Sequence, residues 1–129
     1  MVNRNALTLS VLAGELAVCR LPPDAPAPAE PDEPGALFSV TRTAAELSVV
    51  CPVSAAPEGA TVETGWRALV VAGTLEFAVA GILSRLSSAL AAAGVSVFAL
   101  STYDTDYLLV QDLDGAVAAL RGAGHAVTT

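Results

Sequence analysis

Apolar and small polar residues alternate over residues 7–12 and again over 15–21, on either side of Ala13 and Gly14. Period-two alternation of this kind predicts two half-buried strands joined by a tight turn. A second alternating pair, residues 37–43 and 46–51, brackets Ala44 and Ala45. Between the two pairs lie Pro22, Pro23, Pro26, Pro28, Pro31 and Pro34, mixed with Asp24, Glu30, Asp32 and Glu33. Prolines fix φ and remove amide donors, so residues 22–35 are expected to form an exposed acidic loop with no regular helix. Residues 52–59 read as a connector.

The second half is more regular. Residues 66–72 form an apolar, β-branched run of strand length, and Ile82, Leu83, Leu86 and Leu90 recur at helical spacing within 81–93, with Gly94 as a stop. Residues 95–101 and 106–111 read as a hairpin. Leu113, Ala116, Val117 and Leu120 form the apolar stripe of a second helix ending at Gly122 or Gly124, and residues 125–128 read as a last short strand. The order is β-α-β-β-α-β, the split pattern of ferredoxin-like domains, and the fold class is α+β.

The halves also echo each other at an offset of sixty residues: FSVTRTAAELSVV, residues 38–50, lies over FALSTYDTDYLLV, residues 98–110, and residues 7–12 lie over 67–72. One reading is a degenerate tandem repeat, with a mostly β copy in residues 1–60 and a complete βαββαβ copy in 61–129. In it the Pro-rich loop stands roughly where the second copy has the end of its first helix, so the first copy is expected to have lost that helix. The other reading is coincidence between two apolar hairpins, since short alternating strands match easily.

Composition narrows the function. Of 129 residues, 53% are hydrophobic and 15% charged, which excludes disorder and points to a packed interior and to homo-oligomerisation. The net charge is −7, and all six basic residues are arginines spread from Arg4 to Arg121. They supply no basic stripe, so nucleic acids and anionic membranes are poor partners. The longest apolar stretch, residues 68–83, is interrupted by Gly73, Glu76 and Gly81 and is shorter than the roughly 20 residues of a spanning helix. Residues 1–20 lack the continuous apolar core of a signal peptide, so a cytoplasmic location is expected. Cys19 and Cys51, far apart and without metal-ligand spacing, are expected to be buried reduced thiols.

Candidate chemistry is sparse. The one histidine, His125, lies in an expected edge strand, where a solvated or capping role is favoured over general-base duty. Asp104 and Asp106 supply fewer oxygens than a hard cation recruits, and no GxGxxG or Walker motif is present. No catalytic residue, metal site or cofactor is therefore assigned, and the chain is not expected to be an enzyme. Two features suggest binding instead. The second helix opens on Asp112, a natural N-cap, followed by Asp114, whereas the first opens on Val79-Ala80-Gly81-Ile82 with no capping side chain. An uncapped start with a glycine leaves orphan amides for a carboxylate or phosphate, although Gly81 equally suits close strand–helix packing. The hairpin connection STYDTD, residues 101–106, concentrates hydroxyls and carboxylates beside Tyr103. It suits a small zwitterion, or an ordinary polar turn with local hydrogen bonds. Asp106, heading the apolar strand YLLV, fits the turn reading least.

At FSVTRTAAELSVVCP, GWRALVVAGTLEF and most specifically GVSVFALSTYDTDYLLV, the chain resembles small bacterial ACT-domain proteins related to the CASTOR-type amino-acid sensors. The resemblance implies paired ACT modules with a free amino acid bound at a module interface. It implies that the amides of Gly81 and Ile82 receive the ligand carboxylate and that Thr102, Tyr103 and Asp106 line the pocket, with Asp106 facing the ligand's cationic group. The arginine-binding relatives are expected to carry Glu and Cys where this chain has Val79 and Ala80, which points away from arginine. The expected function is thus an amino-acid-binding regulatory or sensor module acting as a homodimer. The alternative is a pure interaction or self-assembly module with no physiological small ligand.

Overall fold

A computed structural model describes residues 6–72 and 81–129. The elements run β1 (Thr8–Val11), β2 (Leu16–Leu21), β3 (Ser39–Arg42), β4 (Leu47–Pro52), β5 (Thr61–Val71), α1 (Ile82–Ala92), β6 (Phe98–Ser101), β7 (Asp106–Val110), α2 (Leu113–Gly122) and β8 (Ala126–Thr128). Eight strands and two helices in this order give a mixed α+β, ferredoxin-like fold. No helix among the described residues is long and apolar enough to cross a membrane. Strand β5 starts five residues earlier than its apolar run, because Thr61–Gly65 is an exposed polar stretch whose backbone pairs with β2.

The chain divides into two compact units, Met1–Ala13 with Arg67–Thr129, and Gly14–Trp66. The expectation of a cut after residue 60 places β1 with the first copy; the backbone places it with the second. Ala13-Gly14 is not a hairpin turn. Strands β1 and β2 pair, each antiparallel, with different stretches of β5. In the helical unit β1 lies between β5 and β8, so β8 runs parallel to β1 and not beside β5. The sheet order is therefore β6-β7-β5-β1-β8.

One face of that sheet carries the core. Leu9, Leu69, Val71, Leu108 and Val110 pack against Ile82, Leu86 and Leu90 of α1 and Ala116, Val117 and Leu120 of α2. The i, i+4, i+8 spacing on α1 puts its three large side chains on one stripe, which is why this sequence folds as a roof helix.

In the other unit the order β3-β4-β2 repeats β6-β7-β5. Its smaller core of Ala17, Cys19, Leu47, Val49 and Cys51 is covered by Leu21, Ala25 and Phe38 and by the small residues of the 53–60 connector. The Pro-rich segment thus stands in place of the strand-to-strand helix, as the loss of that helix from the first copy requires. It is tied down by Arg42, whose guanidinium donates to the carbonyls of Pro23 and Ala25.

Backbone pairing also corrects the echo. The turns Thr43–Glu46 and Thr102–Thr105 are closed by the same hydrogen bond, Thr43 N–H to Glu46 O at 2.9 Å and Thr102 N–H to Thr105 O at 2.8 Å, at an offset of 59 residues. That offset lays Leu47, Val49 and Cys51 over Asp106, Leu108 and Val110. Side chains alternate across a strand, so an offset of sixty would have matched inward with outward positions. Residues 7–12 are not the counterpart of 67–72 either: because β3-β4-β2 repeats β6-β7-β5, β2 is the strand that stands for β5, and β1 pairs with β5 instead.

Cys19 and Cys51 are buried and unbridged. They face one core from adjacent strands, offset diagonally because Cys19 opposes Val49 and Cys51 opposes Ala17. Burial, and to a lesser degree the Cys19 thiol beside it, pushes Cys51 up to about 11. Cys19 is likewise raised by burial. Both are inert structural thiols at neutral pH.

Candidate functional site

The helical unit brings its site candidates to one end of the sheet by topology. Strands β5 and β6 each pair antiparallel with β7 and are therefore parallel. The helix joining them must return antiparallel to both, so α1 starts at the end where β5 finishes and where the β6–β7 turn lies.

Helix α1 begins at Gly81, whose φ of +79° is left-handed and suits glycine. Among the described residues no side chain caps it, no acidic residue lies in its first turn, and its first intrahelical bond is Arg85 N–H to Gly81 O at 2.9 Å. Among the described residues a Cβ at Gly81 would meet no atom within 4 Å, and its backbone angle is what favours glycine there. Ile82 is buried in the core, so it offers only its backbone amide. Helix α2 is the contrast: Asp112 accepts from Gly115 N–H at 2.9 Å and Asp114 lies in the first turn, answering the orphan amides and the positive end of the dipole. Val79 and Ala80 lie outside the described residues.

The STYDTD segment forms a closed turn. The Thr102 hydroxyl bonds with the backbone of Thr105, and the Thr105 hydroxyl donates to the Val71 carbonyl at 3.0 Å, pinning the turn to the end of β5. Asp106 shares the face of Leu108 and Val110, which is the helix side of the sheet. Its Oδ1 accepts from the Ser101 hydroxyl at 2.6 Å, leaving Oδ2 as further acceptor capacity. Tyr103 is 95% exposed, at the tip. The structure thus gathers Thr102, Tyr103 and Asp106 in one turn and sets Gly81 and Ile82 at the start of α1. Sequence reasoning missed Thr105 as the tether; a threonine placed four residues after Ser101 gives no periodic signal.

His125 is only 8% exposed, so a solvated role is overturned while a capping one holds: its Nδ1 accepts from Leu7 N–H at 3.0 Å. Burial, then the Arg85 guanidinium, lowers its pKa from the ordinary value. Among the described residues no group of three His, Cys, Asp or Glu side chains converges as a metal site.

A family model described as "ACT domain" matches residues 61–122, and a model for an N-terminal domain matches residues 14–59. No curated protein matches the sequence. Among solved structures, protein Atu0741 from Agobacterium tumefaciens is 35% identical, with a TM-score of 0.86 over 95% of this chain and 92% of that one. The regulatory subunit of aspartate kinase from Thermus thermophilus, in ligand-free form, has a TM-score of 0.59 at 8% identity, over 89% of this chain and 95% of that one. Aspartate kinase from Clostridium acetobutylicum has a TM-score of 0.62 at 13% identity, over 89% of this chain but 33% of the enzyme. The two kinases are similar in fold alone. The chain belongs to one family with the Agobacterium protein and carries an ACT domain over residues 61–122.

Proposed function

We propose that this chain is a regulatory module that binds a free amino acid, in the manner of the CASTOR-type sensors, and acts as a cytoplasmic homodimer without catalytic activity of its own. The observation that carries the proposal is the open start of α1 at Gly81, set at the sheet end that holds the Ser101–Asp106 turn, while α2 is capped by its own Asp112. Orphan amides and the positive dipole end favour a carboxylate there. Asp106, on the same face, is suited to the ligand's ammonium group. The ACT match and the structural likeness to a kinase regulatory subunit support a small-ligand regulatory role.

A thermal-shift screen against the twenty amino acids tests this. A ligand of 10 μM affinity at 1 mM should stabilise the fold by about 2.7 kcal/mol, and Asp106→Ala should abolish that shift. No shift with any amino acid overturns the reading. The satisfied Thr102–Thr105 turn favours the second reading, a pure interaction module. It gains if Asp106→Ala alters self-association and no ligand binds.

A further inference from the structure

The one buried histidine is used by nothing in the proposed ligand site, and its bonding is unusual. Leu7 is held at both of its backbone groups: its N–H donates to His125 Nδ1 at 3.0 Å, and its carbonyl accepts from Ala126 N–H at 2.9 Å. His125 N–H in turn donates to Leu120 O at 3.0 Å, at the end of α2. This one residue therefore joins the last turn of α2 to the first contact between β1 and β8. An amide N–H can only donate, so Nδ1 must present its lone pair and the ring proton must sit on Nε2.

We propose that His125 is a pH-operated clasp: while the imidazole is neutral it holds the edge strand β8 against β1, and protonation at Nδ1 sets donor against donor at Leu7 and releases β8. The groups around the ring favour release once the charge arrives. Arg85 of α1 is the charged group that acts on it, and among the described residues the buried Arg85 Nε has no hydrogen-bond partner. Arg121 of α2 is engaged with the Val127 carbonyl at 2.7 Å. Strands β1 and β8 carry no ionisable side chain, so among the described residues of these four elements no carboxylate stands by to neutralise an imidazolium. The acids of α2, Asp112 and Asp114, lie at its opposite end.

The sign follows from linkage. Burial and Arg85 lower the folded pKa below the ordinary 6.5, so the clasp is fully made above 6.5 and is lost as pH falls from there through the folded value. What remains of β8 is a three-residue strand held by its parallel ladder to β1, by Val127 in the core, by Arg121 on the Val127 carbonyl and by the Thr128 hydroxyl on Leu9 O and Ser10, so the clasp is one of a few ties on a short edge. Its release would uncover the β1 edge, a surface that pairs readily with another strand.

Amide hydrogen exchange by NMR between pH 7.5 and 5 tests the clasp. The opening equilibrium at Leu7 and Ala126, corrected for intrinsic exchange, should grow by up to about tenfold per pH unit below 6.5, while Leu108 in the interior strand β7 keeps its protection. In His125→Asn, whose side-chain oxygen is an acceptor that does not titrate, the dependence should vanish. Equal protection at Leu7 and Ala126 across the range overturns the proposal. So does loss of protection at Leu108 in step with them, which reports global unfolding, or the same pH dependence in His125→Asn. The wild-type contrast between Leu7 and Leu108 decides the matter even if the variant does not fold.

Discussion

The hairpins β3–β4 and β6–β7 are built on one backbone device and put to different uses. Each turns on a threonine whose N–H reaches the carbonyl three residues on, and whose hydroxyl bonds within the same turn. The residue after each turn faces inward on the first position of the following strand. In the first hairpin it is Leu47, fully buried; in the second it is Asp106, which takes the Ser101 hydroxyl. What roofs each hairpin differs to match. A helix with an open N-terminus covers the second, while Ala25 of the proline loop, Phe38 and the small residues of the 53–60 connector cover the first. Identical turn geometry therefore says little about binding. The inward residue and the roof above it decide whether the end of the sheet is a core or a polar wall.

Exchanging the inward residue tests that comparison most severely. Leu47→Asp should cost at least about 3 kcal/mol, because it removes a buried leucine and strands a carboxylate with no partner in an apolar core. Urea unfolding measures it. A loss below about 1 kcal/mol would mean that the first hairpin tolerates the polar wall of the second and that the inward residue does not set the two apart.

The elements were legible where one physical signal dominated. Ile82, Leu86 and Leu90 announced a helix, and residues 106–110 a strand, because packing against a single face imposes its period on the chain. The contrast between Asp112 and Gly81 was legible too, since capping is a local matter of one side chain and three amides. Two things were not. The partnership of β1 with β5 and β8 joins residues more than fifty positions apart, and no local pattern records it. Matching letters, Phe38 over Phe98, suggest an offset of sixty, whereas the sheet obeys the parity of inward positions, which Leu47 and Asp106 conceal by differing in polarity. His125 was hard to place for a related reason: its partner is the backbone of Leu7, and a backbone acceptor or donor leaves no trace in composition.

The roof of the first hairpin gives a smaller effect. Arg42→Ala removes the two bonds that tie the guanidinium to the Pro23 and Ala25 carbonyls, on an exposed surface where such contacts contribute about 1 kcal/mol. The sharper readout is limited proteolysis, because the Pro-rich loop has little else to hold it: cleavage within residues 22–36 should accelerate several-fold while the helical unit stays intact. Unchanged cleavage would show that Phe38 and Ala25, packed on the small core, hold the roof without the arginine.

The smallest effect belongs to the reverse exchange, Asp106→Leu. Asp106 is half-buried at the mouth of its hairpin, and Ser101, its partner, is exposed and can turn its hydroxyl to water. Stability should therefore change by no more than about 0.5 kcal/mol in either direction, as for a surface position outside any strained or buried network. The asymmetry is the point: the same pair of residues exchanged between equivalent places should be costly one way and nearly free the other. A loss from Asp106→Leu comparable to that of Leu47→Asp would assign the Asp106 carboxylate to holding the fold together, and the polar wall would then have no residue to spare for a ligand.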